Sequence, residues 1–178
     1  MGNAIGRGTQ QWPEGVLRLL RWQTLMGSIF KRMRLRPAQL RTVADRRFDD
    51  ARYLCNSGLN ARANGAIYLC GFVIECLLKA KLLEKFRWLQ STGAPERLQE
   101  REKRVWSLCY RSHDLAEILE HLPETARHLA MRQERLADSL RSLCAQWTIF
   151  ARYSPHTADI TEASLFVSRV KELKPWLR

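Results

Sequence analysis

From residue 37 onward the apolar positions recur at steps of three and four, and no stretch alternates with the period of two that a half-buried strand needs. Leu40, Ala44, Phe48, Ala51 and Cys55 mark the inner face of a first helix. Pro37 suits its opening, where no amide donor is required, and Gly58 supplies the stop. Asn60 is placed to cap a second helix from Ala61 to about Phe86. Its run AIYLCGFVIECLLKAKLL is apolar on more than one face, which predicts the central helix of a bundle. Glu75 and Lys79 lie one turn apart within that run, in the favourable order. Such a pair must face a groove, a partner or solvent, because an unpaired buried charge costs roughly several kcal/mol.

Residues 87–111 change in character: Ser91-Thr92-Gly93-Ala94-Pro95 reads as a turn, and ERLQEREKR as a short solvated helix. The next helix starts at Ser112-His113-Asp114-Leu115, with Ser112 or Asp114 as cap and a stripe of Leu115, Ile118, Leu119 and Leu122. Pro123 opens a long helix with Leu129, Leu136, Leu140, Leu143, Cys144, Trp147 and Ala151 on its apolar face, ended by Pro155. Asp159 and Glu162 have the spacing of a capping box for a last helix carrying Leu165, Phe166, Val170 and Leu173. The expectation is an all-α domain over residues 37–178, a bundle of about five helices with a polar excursion at 87–111. Residues 1–36 form a separate N-terminal extension, polar at first and then able to make an amphipathic helix over Val16–Met33. That helix suits packing on its own domain, or leader sequence ahead of a later start at Met26 or Met33; the alternative is a membrane-surface or partner-docking helix.

Charge modifies this picture. The chain carries a formal +12, and the extension accounts for much of it, with seven basic residues against Glu14 alone. A mildly basic body is compatible with nucleic acid or an acidic partner. The five cysteines, Cys55, Cys70, Cys76, Cys109 and Cys144, are an odd set without metal-ligand spacing, and several lie in apolar runs. They read as reduced core residues of a cytoplasmic protein. No segment has the roughly 18 uninterrupted apolar residues of a membrane span. No His/Cys/Asp/Glu cluster has metal-ligand spacing and no Gly-rich phosphate loop is present, so neither metal nor cofactor is expected.

Four segments together resemble the HEPN family in its own order: Asp49-Asp50-Ala51-Arg52-Tyr53-Leu54, the central run Ala66 to Ala80 with Glu75 and Lys79, His113-Asp114-Leu115, and Trp147 through Arg152-Tyr153. The resemblance spans about residues 38–175. It implies an up-and-down helical bundle that forms a homodimer, and a place in a toxin–antitoxin pair beside a minimal nucleotidyltransferase. It also implies contact with RNA or a nucleotide, with Glu75, Lys79, His113, Asp114 and Tyr153 as the motif positions of a binding site.

Many family members are metal-independent ribonucleases with an arginine, four to six residues and then a histidine. Here Arg152-Tyr153-Ser154-Pro155-His156 leaves only three residues between the two. Their types still suit cleavage through a 2′-hydroxyl: Arg152 to hold phosphate and His156 to move a proton. The alternative is that Arg152 compensates a helix C-terminal dipole and His156 is a surface loop residue. His113 reads as part of a helix start, bonded to backbone or a neighbouring carboxylate, while His121 and His128 read as solvated. Arg46, Arg47, Arg52 and Arg62 are able to grip phosphate or to form a solvated face. Three functions are compatible with this sequence: a dimeric binding module, a toxin-like ribonuclease acting through Arg152 and His156, or a non-catalytic subunit of a nucleotidyltransferase.

Overall fold

The computed structural model describes residues 35–91, 96 and 98–178. The amphipathic helix expected over Val16–Met33 and most of the turn at 91–95 lie outside the described residues. Arg36 is extended (φ −122°, ψ 143°), as a residue before proline prefers, and α1 (Pro37–Asn56) starts immediately after it. All five expected inner residues of α1, Leu40 through Cys55, are buried. Gly58 takes φ +69°, a left-handed conformation that a side chain would disfavour, and the chain reverses there. A 3-10 turn at Asn60–Arg62 leads into α2 (Ala63–Lys85).

Helix α2 is the axis of the bundle. Fourteen of its 23 residues are buried, more than one face provides, so it needs neighbours around most of its circumference. It receives α1, then α3 (Glu100–Tyr110), α4 (Leu115–Glu120), the 3-10 helix at Ile149–Tyr153 and α7 (Ile160–Leu173). The remaining helices, α5 (Pro123–Arg132) and α6 (Glu134–Gln146), pack on each other, and α6 also meets α4 and α7. Lys174 and Arg178 bind Asp45 and so fasten the end of the chain to α1. The fold is an all-α helical bundle, with seven α-helices and no strand among the described residues.

Several expectations are corrected by this arrangement. The long helix from Pro123 is two helices: Gln133 is extended (φ −155°, ψ 90°), and α6 ends at Gln146, before Trp147. The break falls within a polar run, Arg132 to Arg135, and α6 packs on α5 with Leu129 and Leu136 both in the core. Asn60 does not cap α2. Its side chain instead accepts from the amide of Ile160 at 3.0 Å, across the bundle at the start of α7. The polar helix α3 is solvated only over its first turns, for Leu108 and Cys109 at its end are buried, as is Leu89 before it. His121 is half-buried and bonds the Glu117 carbonyl at 3.0 Å.

Gly71 is where α2 admits a large side chain. A Cβ at this position would lie 2.0 Å from the indole nitrogen of Trp147, so the ring rests directly on the helix backbone. Gly71→Ala is therefore expected to displace Trp147 and destabilise the fold by about 1–3 kcal/mol, the usual cost of overpacking. Urea denaturation reads the loss, and an unchanged midpoint would contradict this packing.

All five cysteines are buried free thiols. Burial pushes Cys70, Cys76, Cys109 and Cys144 up to about 12, from an ordinary value of 9.0. The unfolded chain ionises these groups as pH passes the ordinary value, while the folded chain keeps their protons. Their contribution to stability is thus intact below about pH 9 and lost as pH rises towards 12. Urea midpoints should fall above about pH 9. The fall should shrink in Cys144→Ala, and alkylation at pH 8 should require unfolding.

Candidate functional site

The charged pair of α2 lies inside the bundle, with Glu75 2% and Lys79 6% exposed. Their salt bridge is 2.8 Å long. Isolation is avoided by the turn before α4, which comes down on them. Lys79 Nζ also donates to the Ser112 carbonyl at 2.7 Å, and His113 Nδ1 lies 3.0 Å from both carboxylate oxygens of Glu75. The carboxylate accepts from Lys79 and from His113, which places the imidazole proton on Nδ1 and leaves Nε2 as the remaining polar atom of the ring. Ser112 Oγ accepts from the amide of Asp114, whose own carboxylate caps α4 by accepting from the Glu117 amide at 2.9 Å. Of the two caps the sequence allowed, Asp114 is used. The His113 side chain is 41% exposed and lines a cavity of about 450 Å³ with Cys144, Trp147, Thr148 and Phe150.

Trp147 also belongs to a second region. It is buried, sits on Gly71 and lines both the His113 cavity and a cavity of about 510 Å³ shared with Asn64, Ile67 and His156. After it the Thr148 hydroxyl accepts from the amide of Phe150 and opens the 3-10 helix Ile149–Tyr153. In such a helix residues three apart eclipse each other, so Phe150 and Tyr153 share one face. That face is turned out: the two rings are 72% and 68% exposed. The Arg152 guanidinium lies 4.6 Å from the Tyr153 ring centroid, a cation–π contact. Among the described residues Arg152 has no ion-pair partner. Arg47 and Arg52 differ, each lying beside a carboxylate of its own helix, Asp50 at 3.3 Å and Asp49 at 3.8 Å.

His156 is exposed in the loop that joins the 3-10 helix to α7. Its backbone is held firmly: Asn64 on α2 donates from Nδ2 to the His156 carbonyl at 2.7 Å and accepts from the Ala158 amide at 2.8 Å. The expected capping box is present beyond it, Asp159 accepting from Glu162 N at 2.8 Å and Glu162 from Asp159 N at 3.0 Å. His156 lines the larger cavity. Among the described residues no three His, Cys, Asp or Glu are grouped to hold a metal ion, and no helix is long and apolar enough to cross a membrane.

The motif residues therefore fall into two groups. Glu75, Lys79, His113 and Asp114 build one network, and Arg152, Tyr153 and His156 lie on the segment that follows Trp147. Arg152 does not line the cavity that His156 lines. Gly71, Asn64 and Phe150 escape sequence reasoning. An isolated glycine inside an apolar helix is the available signal for the first; the other two carry none.

Removing one member of the buried network leaves the other charge uncompensated. Glu75→Ala should cost about 3–5 kcal/mol, whereas Glu75→Leu combined with Lys79→Met should recover most of that loss. A double-mutant cycle in urea checks it; additive single losses would mean that the two charges are solvated separately.

No family model matches this chain, and neither does any curated protein or solved structure.

Proposed function

We propose that the protein is a HEPN-like binding module that works as a homodimer and takes single-stranded RNA along the edge made by Phe150, Arg152, Tyr153 and His156. The observation that carries this reading is the pair of outward aromatic rings, 72% and 68% exposed, with the Arg152 guanidinium, which has no ion-pair partner among the described residues, over one of them. Unstacked bases gain roughly 1–3 kcal/mol each from an aromatic platform, and an arginine beside it supplies the phosphate contact. The formal charge of +12 favours a polyanionic ligand in the same sense. Two copies of such an edge in a homodimer lengthen the strand that is held. A minimal nucleotidyltransferase, as in a toxin–antitoxin pair, is the protein partner this reading implies.

A second reading, metal-independent RNA cleavage, has support in one feature. Arg152 and His156 are both exposed on one short segment, and among the described residues neither side chain has a hydrogen-bond or ion-pair partner. In that chemistry Arg152 holds the phosphate while the His156 imidazole takes the 2′-hydroxyl proton.

Anisotropy of a labelled single-stranded RNA separates these readings when run beside a cleavage assay in EDTA. Phe150→Ala and Tyr153→Ala should each weaken binding roughly 5- to 150-fold, the span of one lost stack. Arg152→Ala should weaken it across sequences and reduce the salt slope by about 0.7. Light scattering should give twice the chain mass of 20.8 kDa. Binding without cleavage supports the module; cleavage lost in His156→Ala supports the enzyme. RNA affinity unchanged in all three edge variants would defeat the module, and cleavage that survives in His156→Ala would defeat the enzyme.

A further inference from the structure

The cavity of about 510 Å³ that Trp147 and His156 line has the size of a small-molecule site, which spans roughly 300–1,000 Å³. Its walls are held before any ligand arrives. Trp147 is buried and seated on the backbone of Gly71. The segment 156–160 is tied down by three hydrogen bonds between 2.7 and 3.0 Å long. In these Asn64 donates to the His156 carbonyl and accepts from the Ala158 amide, and Asn60, just ahead of α2, accepts from the Ile160 amide. Walls fixed in advance lower the cost of binding.

The charge of the lining is opposite to the charge of the chain. The protein carries a formal +12, yet no lysine or arginine lines this cavity, and the one acidic side chain that does is Glu162. Its Oε2 accepts from the Asp159 amide, and its other oxygen has no hydrogen-bond or ion-pair partner among the described residues. Glu162 lies in the first turn of α7, whose dipole places roughly half a positive charge there. Asp159 and Glu162 bring two carboxylates to the same turn and outweigh it. Arg152 lies over the Tyr153 ring and is not part of the lining. The local balance is negative.

Beside this carboxylate stand Trp147 and Phe166, and an aromatic face attracts a cation, indole most strongly. Gln146 adds an amide oxygen that accepts no hydrogen bond among the described residues. A primary ammonium has three donors and no acceptor, so acceptors and aromatic faces are what it requires. We infer that this cavity binds a small organic cation, an ammonium group on an apolar stem, with the charge at Glu162 and the stem against Trp147 and Phe166. The site is independent of the proposed RNA edge: a polyanion is drawn to Arg152, and the cavity selects the opposite sign.

Phenethylammonium and phenylacetate carry the same aromatic ring and differ in the sign of the end group. Titrated into the full chain at physiological salt, phenethylammonium should shift the indole N–H signal of Trp147 saturably, and phenylacetate should not. That signal is identified by its loss in Trp147→Phe. Glu162→Gln keeps an oxygen for the Asp159 amide and removes the charge. It should weaken phenethylammonium by about tenfold or more, the least expected of a lost charge-assisted hydrogen bond. Gln146→Glu, which adds a carboxylate to the lining, should tighten it. No shift with phenethylammonium would overturn the assignment, and so would an equal response to phenylacetate or an affinity that Glu162→Gln leaves unchanged. The two probes on the unaltered chain decide the sign of the site even where a variant folds poorly.

Discussion

Helix α2 carries two opposite charges into the middle of an apolar bundle, and the arrangement around it follows from having to satisfy them. A buried carboxylate or ammonium without partners is prohibitively costly, so the 2.8 Å bridge between Glu75 and Lys79 is necessary but leaves further polar atoms to serve. The segment Ser112–Asp114 supplies what is missing, a carbonyl for Lys79 and an imidazole N–H for Glu75. Those bonds fix the position of the turn, and the turn fixes where α4 starts, because Asp114 is at once its cap and the neighbour of His113. Burying one ion pair thus determines the path of a segment more than thirty residues further along the chain.

A second constraint on the same helix acts by the absence of a side chain. With Gly71 at its waist, α2 lets Trp147 approach its backbone, and the chain must leave the helical conformation there: Trp147 has φ −76° and ψ 135°. The indole fills the gap at the cost of a buried N–H without a partner among the described residues. The chain then enters the five-residue 3-10 helix, which is too short to bury every apolar residue it carries. Ile149 and Ala151 are partly buried, and Phe150 and Tyr153 are left facing out. The exposed aromatic edge is therefore a consequence of how Trp147 is seated.

Local chemistry is legible in the sequence. Pro37, Gly58, Asp114 and the Asp159–Glu162 box act within a few residues of themselves, and each does in the structure what its type and spacing suggest. The inner face of α1 is equally plain, since a helix with one buried stripe writes its period into the chain. What escapes sequence reasoning depends on distant partners. Asn60 has the right type to cap the helix after it, yet its oxygen serves Ile160, 100 residues away. The break at Gln133 has neither glycine nor proline to mark it, and on either side of it α5 and α6 pack against each other. The need of the Glu75–Lys79 pair for compensation is legible too. Groove, partner and solvent are the alternatives the sequence offers, and His113 with the Ser112 carbonyl supplies a fourth.

The two histidines nearest Trp147 show why residue type alone does not assign chemistry. His113 commits Nδ1 to a buried carboxylate, and that bond is part of what keeps Glu75 in the core. Replacing it would disturb the fold together with any activity, so a loss of function at His113 carries little information about mechanism. His156 is the reverse case. Its backbone is anchored through Asn64 while both ring nitrogens lack intramolecular hydrogen bonds among the described residues. An imidazole held at its root and free at its tip is able to meet a ligand without being needed for folding, and so its substitution tests function cleanly. By that criterion a substitution at His156 reports on function and one at His113 on the fold, because the Glu75–Lys79–His113 network is part of the buried core.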